Sequence, residues 1–216
     1  MTDILYPTLA LAAAYLGLTS IGFDYAGPAA VLVGLTVMFA QIGVTRSTLT
    51  ELGLGRPRSW LGLILWTVLG VVAVVLAVTF GARPLIAALD LPPSNLSRLA
   101  ALKGDAEQLA IMLAIAWTTA AIGEELFFRG YLLGRIQSLF GGGWLAMALA
   151  VVVQALLFGL AHAYQGPAGA IQTATVGFVL GAIFVAAGRN IWPVILAHGL
   201  IDTMSLVALY LGAMPR

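Results

Sequence analysis

The sequence predicts an all-α fold, a polytopic bundle of transmembrane helices, and three observations carry that reading. The 216 residues are 61% hydrophobic and only 9% charged, where a soluble domain carries roughly 25% charged residues. Uncharged runs have membrane length: residues 4–23 make 20, residues 25–45 make 21 and residues 59–82 make 24, and a helix needs about 20 to cross the hydrocarbon core. A fourth uncharged run, residues 136–188, is 53 long, enough for two crossings.

Taken in order, the spans fall near residues 4–22, 28–44, 60–80, 108–138, 144–164, 168–187 and 191–211. That makes seven, with eight as the alternative count. The first lacks the basic region and short apolar core of a cleaved leader, so it reads as a retained span. Pro28 opens the second, where its missing N–H costs nothing. Two connections are polar. Residues 45–59 carry Arg46, Arg56 and Arg58, and residues 82–108 carry Pro92, Pro93 and a short interfacial helix. Gly141, Gly142 and Gly143 mark a turn. Asn190 is placed to cap the last span, with Pro193 in its first turn. Trp60, Trp144 and Trp192 stand at span ends as interface anchors. No internal repeat divides the chain, so residues 1–216 form one integral-membrane domain.

Composition narrows the function. Without Cys there is no disulfide framework, thiolate zinc site or thiol nucleophile. A net charge of +1 leaves no basic footprint for nucleic acid. With the N-terminus inside, Arg46, Arg56, Arg58, Arg129, Arg135 and Arg189 face inward against Arg83, Arg98, Lys103 and Arg216 outside, a slight positive-inside bias. Nine of the ten basic residues are Arg, a skew that suggests a GC-rich bacterial genome, and the expected location is a bacterial inner (plasma) membrane.

The stretch GEELFFRG, residues 123–130, follows an uncharged run and places Glu124, Glu125 and Arg129 in the fourth span. Each such charge at mid-bilayer costs about 2.5–3.5 kcal/mol, whereas a Leu or Phe returns roughly 0.3–0.6 kcal/mol. Glu125 and Arg129 share a helix face and form an ion pair. Glu124 points elsewhere and is left free. The only histidines, His162 and His198, sit in the apolar stretches FGLAH and HGLID. Asp202 follows His198 by one turn. With the turn at residues 141–143, Glu124 and His162 come to equal depth, roughly 28 Å along their helices. His198 lies only about 10 Å into the last span, so bringing it to the same level requires tilt, a short span or a re-entrant segment.

The three motifs EELFFR, FGLAH and HGLID, in order and in separate spans, resemble the CAAX-protease and bacteriocin-processing (Abi-type) family of intramembrane endopeptidases. The resemblance covers about residues 108–210. It implies hydrolysis of a peptide bond in a peptide or protein substrate held at or anchored to the lipid bilayer. Glu124 would be the general base, His162 would help to activate water, and His198 and Asp202 would bind the oxyanion. Glu125 and Arg129 would support the site. The better-known CAAX members have eight helices, and their processing branch carries Asn where this chain has Asp202. Ionised Asp only accepts hydrogen bonds, so Asp202 either acts protonated or orients His198, and a prenylated substrate does not follow from the motifs.

The expectation is a metal-free site with no cofactor. Against it stand a zinc site built on His162, His198 and Glu124, and a non-enzymatic protein: an immunity or scaffold protein, or a proton-coupled transporter. A transporter would be expected to show inverted repeats, and none is visible. Structural readings also weigh against each residue: an ion pair near headgroups for Glu125 and Arg129, an interhelical hydrogen bond for each histidine, a partner of His198 for Asp202, and core packing for Phe158.

Overall fold

The computed structural model describes residues 2–45 and 49–213; Arg46 and Arg216, both used in the charge tally above, lie outside them. Regular structure among the described residues is helical throughout. The long helices are α1 (Thr2–Ser20), α2 (Ala26–Thr45), α3 (Trp60–Ala88), α4 (Ala106–Leu139), α5 (Gly143–Ala161), α6 (Gly166–Ala186) and α7 (Trp192–Tyr210). Short 3-10 turns occupy Leu49–Leu52, Ser97–Leu102 and Ala163–Gln165. By length and hydropathy six helices, α2 to α7, can cross a membrane, and Leu5–Ser20 in α1 is a shorter apolar helix. The sequence count of seven, or eight, therefore exceeds by one or two the six that meet both criteria.

Three local expectations change. The third span does not stop near residue 80 but continues as helix to Ala88. Pro84 lacks an amide and crowds the carbonyl four residues back. A wide π turn at Val78–Ala82, closed by the Arg83 N–H on the Val78 carbonyl, lets the helix pass that point. Arg83 thus rides on a helix instead of opening a loop. Within the following connection, the expected interfacial helix is the 3-10 turn Ser97–Leu102, whose Leu102 is buried with Ala116 and Leu206. Asn190 is not the N-cap of α7, because Ile191 holds that position. Its Oδ1 accepts from the Trp192 amide at 3.3 Å and its Nδ2 donates to the Gly55 carbonyl at 2.9 Å. It is a tie between segments. The turn at Gly141, Gly142 and Gly143 is as expected, with φ of 84°, 79° and 80°, a region glycine enters without penalty.

The motif helix α4 is the centre of the bundle. Every residue from Glu125 to Leu133 is buried, as befits a helix enclosed on all sides. Around it the core draws Met38 and Ile42 from α2, Val74 from α3, Val151 and Phe158 from α5, Leu180 and Phe184 from α6, and Val194 and Ala197 from α7. The outer face of α3 leaves Leu61, Ile64, Leu65, Val68 and Val72 exposed, an apolar surface suited to lipid and not to water. Small residues let helices approach closely where lipid offers no hydrophobic drive. A Cβ on Gly159 would meet the Ala170 carbonyl and Ala174, and one on Gly177 would meet Phe158 and Ala155.

Helix α7 starts deep. The Ile191 amide donates to the Gly53 carbonyl at 3.0 Å. A Cβ on Gly130 would touch both the Leu52 carbonyl and Ile191, and one on Gly134 would touch the Arg189 guanidinium. The connection between α6 and α7 therefore lies beside Gly130, more than two turns of α4 short of Leu139, where the α4–α5 hairpin closes. From Ile191 to His198 is about 10 Å of helix, and from Gly130 to Glu125 about 7 Å. The two residues come level without a re-entrant segment.

Candidate active site

Glu125 is the meeting point of two π-helical stretches in α4, Ala116–Glu124 and Leu126–Leu132. Such wide turns are frequent at functional sites. The glycines that bracket the motif have packing roles. Gly123 faces Val31 and Leu35 of α2, and Gly130 faces the Leu52 backbone; at each, a Cβ would have to push its neighbour away.

One oxygen of Glu125 holds two partners. Its Oε1 lies 2.8 Å from Arg129 Nη1 and 2.8 Å from His198 Nδ1, and the side chains of Glu125 and Arg129 are fully buried. The Arg129 pairing is the one read from the i, i+4 spacing. The His198 pairing is not visible in sequence, because the two residues are 73 apart and on different helices. Arg129 also donates from Nη2 to the Gly177 carbonyl at 3.2 Å, and its guanidinium carbon sits 4.6 Å from the centre of the Phe158 ring. An ionised carboxylate can only accept, so in this arrangement Nδ1 of His198 carries the proton.

Glu124 stands apart from that network. Its Oε1 is 3.9 Å from His162 Nε2, beyond hydrogen-bond range, and both side chains are about one-seventh exposed at 14% and 16%. His162 Nδ1 contacts the Phe158 carbonyl at 2.9 Å. A carbonyl cannot donate, so Nδ1 does, and a neutral His162 presents an unprotonated Nε2 toward Glu124. A water hydrogen-bonded to both atoms at about 2.8 Å would sit to one side of the line joining them. Glu124 Oε2 has no hydrogen-bond partner among the described residues.

Phe158 does more than fill the core. Its ring centre lies 4.7 Å from that of His162, 6.2 Å from that of His198 and 5.0 Å from that of Phe128. Its ring therefore contacts both histidines and the Arg129 guanidinium. Asp202 is at the rim, with its Oδ2 3.6 Å from His198 Nε2 and its side chain 30% exposed. That distance is too long for a hydrogen bond but within ion-pair range, so the hydrogen bond that orients His198 comes from Glu125.

Other residues escaped the sequence reading. Gln154 is fully buried and donates to the same Gly177 carbonyl that Arg129 uses, at 2.9 Å. Trp117 donates to Thr203 at 3.1 Å and lies over Gly199, where a Cβ would strike its ring. A glutamine inside a 53-residue uncharged run was the available signal for the first, since a buried amide in a membrane needs partners. Trp117 stands inside the fourth span, away from the span ends that mark the interface tryptophans, and that position was the available signal for it.

Among the described residues no three His, Asp or Glu side chains are grouped to hold a metal ion. The zinc set weighed above is divided, since His198 turns Nδ1 to Glu125 while Glu124 faces His162. A zinc site needs three protein ligands converging at about 2.0–2.2 Å, and these side chains as placed do not converge.

Fold and site together define a helical membrane protein with paired carboxylates and imidazoles gathered inside its bundle. Residues 106–204 match the family model Rce1-like, described as type II CAAX prenyl endopeptidase Rce1-like. The match bears out the resemblance read from EELFFR, FGLAH and HGLID, covers all three motifs, and supports a CAAX-type membrane protease. Comparisons with curated proteins and with solved structures find no match.

Proposed function

We propose that this protein is an intramembrane endopeptidase that hydrolyses a peptide bond of a membrane-associated substrate with water activated by Glu124 and His162. The observation that carries the reading is the facing pair itself. Glu124 Oε1 and His162 Nε2, 3.9 Å apart, both offer lone pairs to one small space. The more deeply buried Glu125 is already committed to Arg129 and His198.

In the proposed step, the water oxygen attacks the scissile carbonyl carbon while Glu124 takes one of its protons. The carbonyl oxygen becomes an oxyanion as the tetrahedral intermediate forms. His198 in its imidazolium form holds Nδ1–H on Glu125 and directs Nε2–H at that oxyanion, the role of a preorganised donor. Collapse breaks the C–N bond, and the proton held by Glu124 passes to the departing amine. Asp202, whose Oδ2 is 3.6 Å from Nε2, serves in its protonated form as a second donor to the oxyanion. No metal takes part in this scheme, and no cofactor is called for.

The test is cleavage of membrane-associated peptides by purified protein in detergent, prenylated and unprenylated, with and without chelator. Wild-type protein is expected to cleave in metal-depleted buffer, and Glu124→Gln to cleave at least about 100-fold more slowly. Asp202→Asn supplies a permanent donor and should retain activity. Wild-type rates in Glu124→Gln would refute the base assignment. Chelator inhibition reversed by zinc, with Asp202→Asn inactive and about one zinc per chain, would replace this mechanism with a zinc-dependent one.

A further inference from the structure

Away from the candidate catalytic residues, the connection before α3 and the connection between α6 and α7 enclose a cavity of about 510 Å³. Its polar wall includes Arg56, Arg58, Ser59, Arg189 and Asn190, and its apolar wall includes Trp66. No carboxylate of a described residue lies within salt-bridge range of Arg56, Arg58 or Arg189; the described ion pairs all belong to the α4–α7 site. Arg189 is held from the other side, donating to Gln137 at 3.4 Å in an adjoining cavity that Arg135 also lines. Two guanidinium groups, those of Arg56 and Arg58, thus share one space in a protein with few charges, while the Arg189 head group is turned to Gln137 and Gly134.

The cavity is built, not left over. Asn190 is bonded to Gly55 and Ile191 to Gly53, and Arg58 lies over Gly188. Arg189 adopts φ 60°, a left-handed conformation that non-glycine residues rarely keep without surrounding constraint. Ser59 caps α3, accepting the Gly62 amide at 3.0 Å. The amides of Trp60 and Leu61, among the first of the helix, have no intrahelical acceptor and add the positive end of the helix dipole.

We propose that this cavity binds the phosphate of an anionic phospholipid headgroup. A phosphate oxygen set matches the two guanidinium groups of Arg56 and Arg58 and a helix N-terminus at once. A lipid is favoured over a free anion because the cavity opens where α3 and α7 begin. There Trp60 is 77% exposed at the level where interfacial tryptophans sit, and the exposed Leu61, Ile64 and Leu65 continue from the headgroup level as a track for acyl chains. Juxtamembrane arginines attract anionic lipid, and here they do so at a fixed place.

The experiment exchanges purified full-length protein into mixed phosphatidylglycerol and phosphatidylcholine nanodiscs, then counts retained lipid per chain by native mass spectrometry after release. Wild type is expected to retain about one phosphatidylglycerol in preference to phosphatidylcholine. The double variant Arg56→Gln/Arg58→Gln changes two exposed side chains outside the core and should lose that preference by about tenfold or more. Arg83→Gln, at the opposite end of α3, should keep it, and thermal unfolding verifies that each variant is folded. Equal retention in wild type and the double variant overturns the proposal, as does an equal loss in Arg83→Gln, which would mean diffuse attraction. Displacement of the retained lipid by millimolar inorganic phosphate in detergent would overturn the lipid assignment in favour of a free anion.

Discussion

Glu124 and Glu125 are adjacent in sequence, yet their surroundings have opposite consequences for substitution. Glu125 Oε1 is shared by Arg129 and His198, each at 2.8 Å. Glu125→Gln would leave the buried guanidinium without a counter-charge, a type of loss that costs about 3–5 kcal/mol. The expected outcome is a marked fall in chemical and thermal stability in detergent, accompanied by loss of cleavage as His198 loses its anionic partner. Glu124→Gln should leave the same unfolding curves near wild type, because Glu124 makes no hydrogen bond among the described residues. Unchanged stability in Glu125→Gln would mean that the pair contributes nothing net. At this scale the sequence was informative wherever a relation is local: the Glu125–Arg129 pair follows from helix periodicity alone. The Glu125–His198 bond and the shared Gly177 carbonyl depend on how separate helices meet, and one chain's periodicity carries no such information.

Helices α5 and α6 bring His162 to Glu124, and their contact depends on glycine. At Gly159 a Cβ would sit 2.6 Å from the Ala170 carbonyl oxygen and 2.7 Å from Ala174 Cβ, both attached to backbone that cannot turn aside. Overpacking of this kind typically costs about 1–3 kcal/mol. Gly159→Ala should lower the unfolding temperature and, by shifting the turn that carries Phe158 and His162, reduce cleavage as well. Gly17→Ala is the matched comparison, since nothing lies within 4 Å of a Cβ there and alanine favours a helix by up to about 1 kcal/mol. Its stability should be unchanged or higher, and equal effects of the two substitutions would count against glycine-dependent packing. The π segments of α4 explain why element-level reading went only part of the way. The sequence reading assigned one long span over residues 108–138, and the helix is continuous there. Its winding is not α throughout, and no residue pattern around GEELFFRG announces the wider turns.

For the whole molecule the decisive feature is the depth of α7. Straight helices ending at common levels would leave His198 far from His162, and hydropathy alone does not say whether tilt, a short span or a re-entrant segment closes that distance. The connection between α6 and α7 instead lies within the bundle, hung on the Gly53 and Gly55 carbonyls. Long-range ties of this sort, from residues 53–55 to residues 190–191, leave no mark in hydropathy. They also make a remote residue control the site. Gly53 has φ 81°, and a Cβ there would collide with the Arg189 carbonyl and come within 3.0 Å of Phe184. Gly53→Ala must therefore push the start of α7 outward or strain the 49–55 segment, at a cost of about 1–3 kcal/mol. Displacing α7 along its axis would draw His198 away from Glu125, so cleavage should fall by more than the loss of stability accounts for. Gly55→Ala, where a Cβ meets open space and φ is not positive, should behave as wild type. The measurement is kcat for both variants at a temperature where each is fully folded. Full activity in Gly53→Ala would show that α7 finds its depth without this tie, and the α6–α7 connection would then follow the position of His198 instead of setting it.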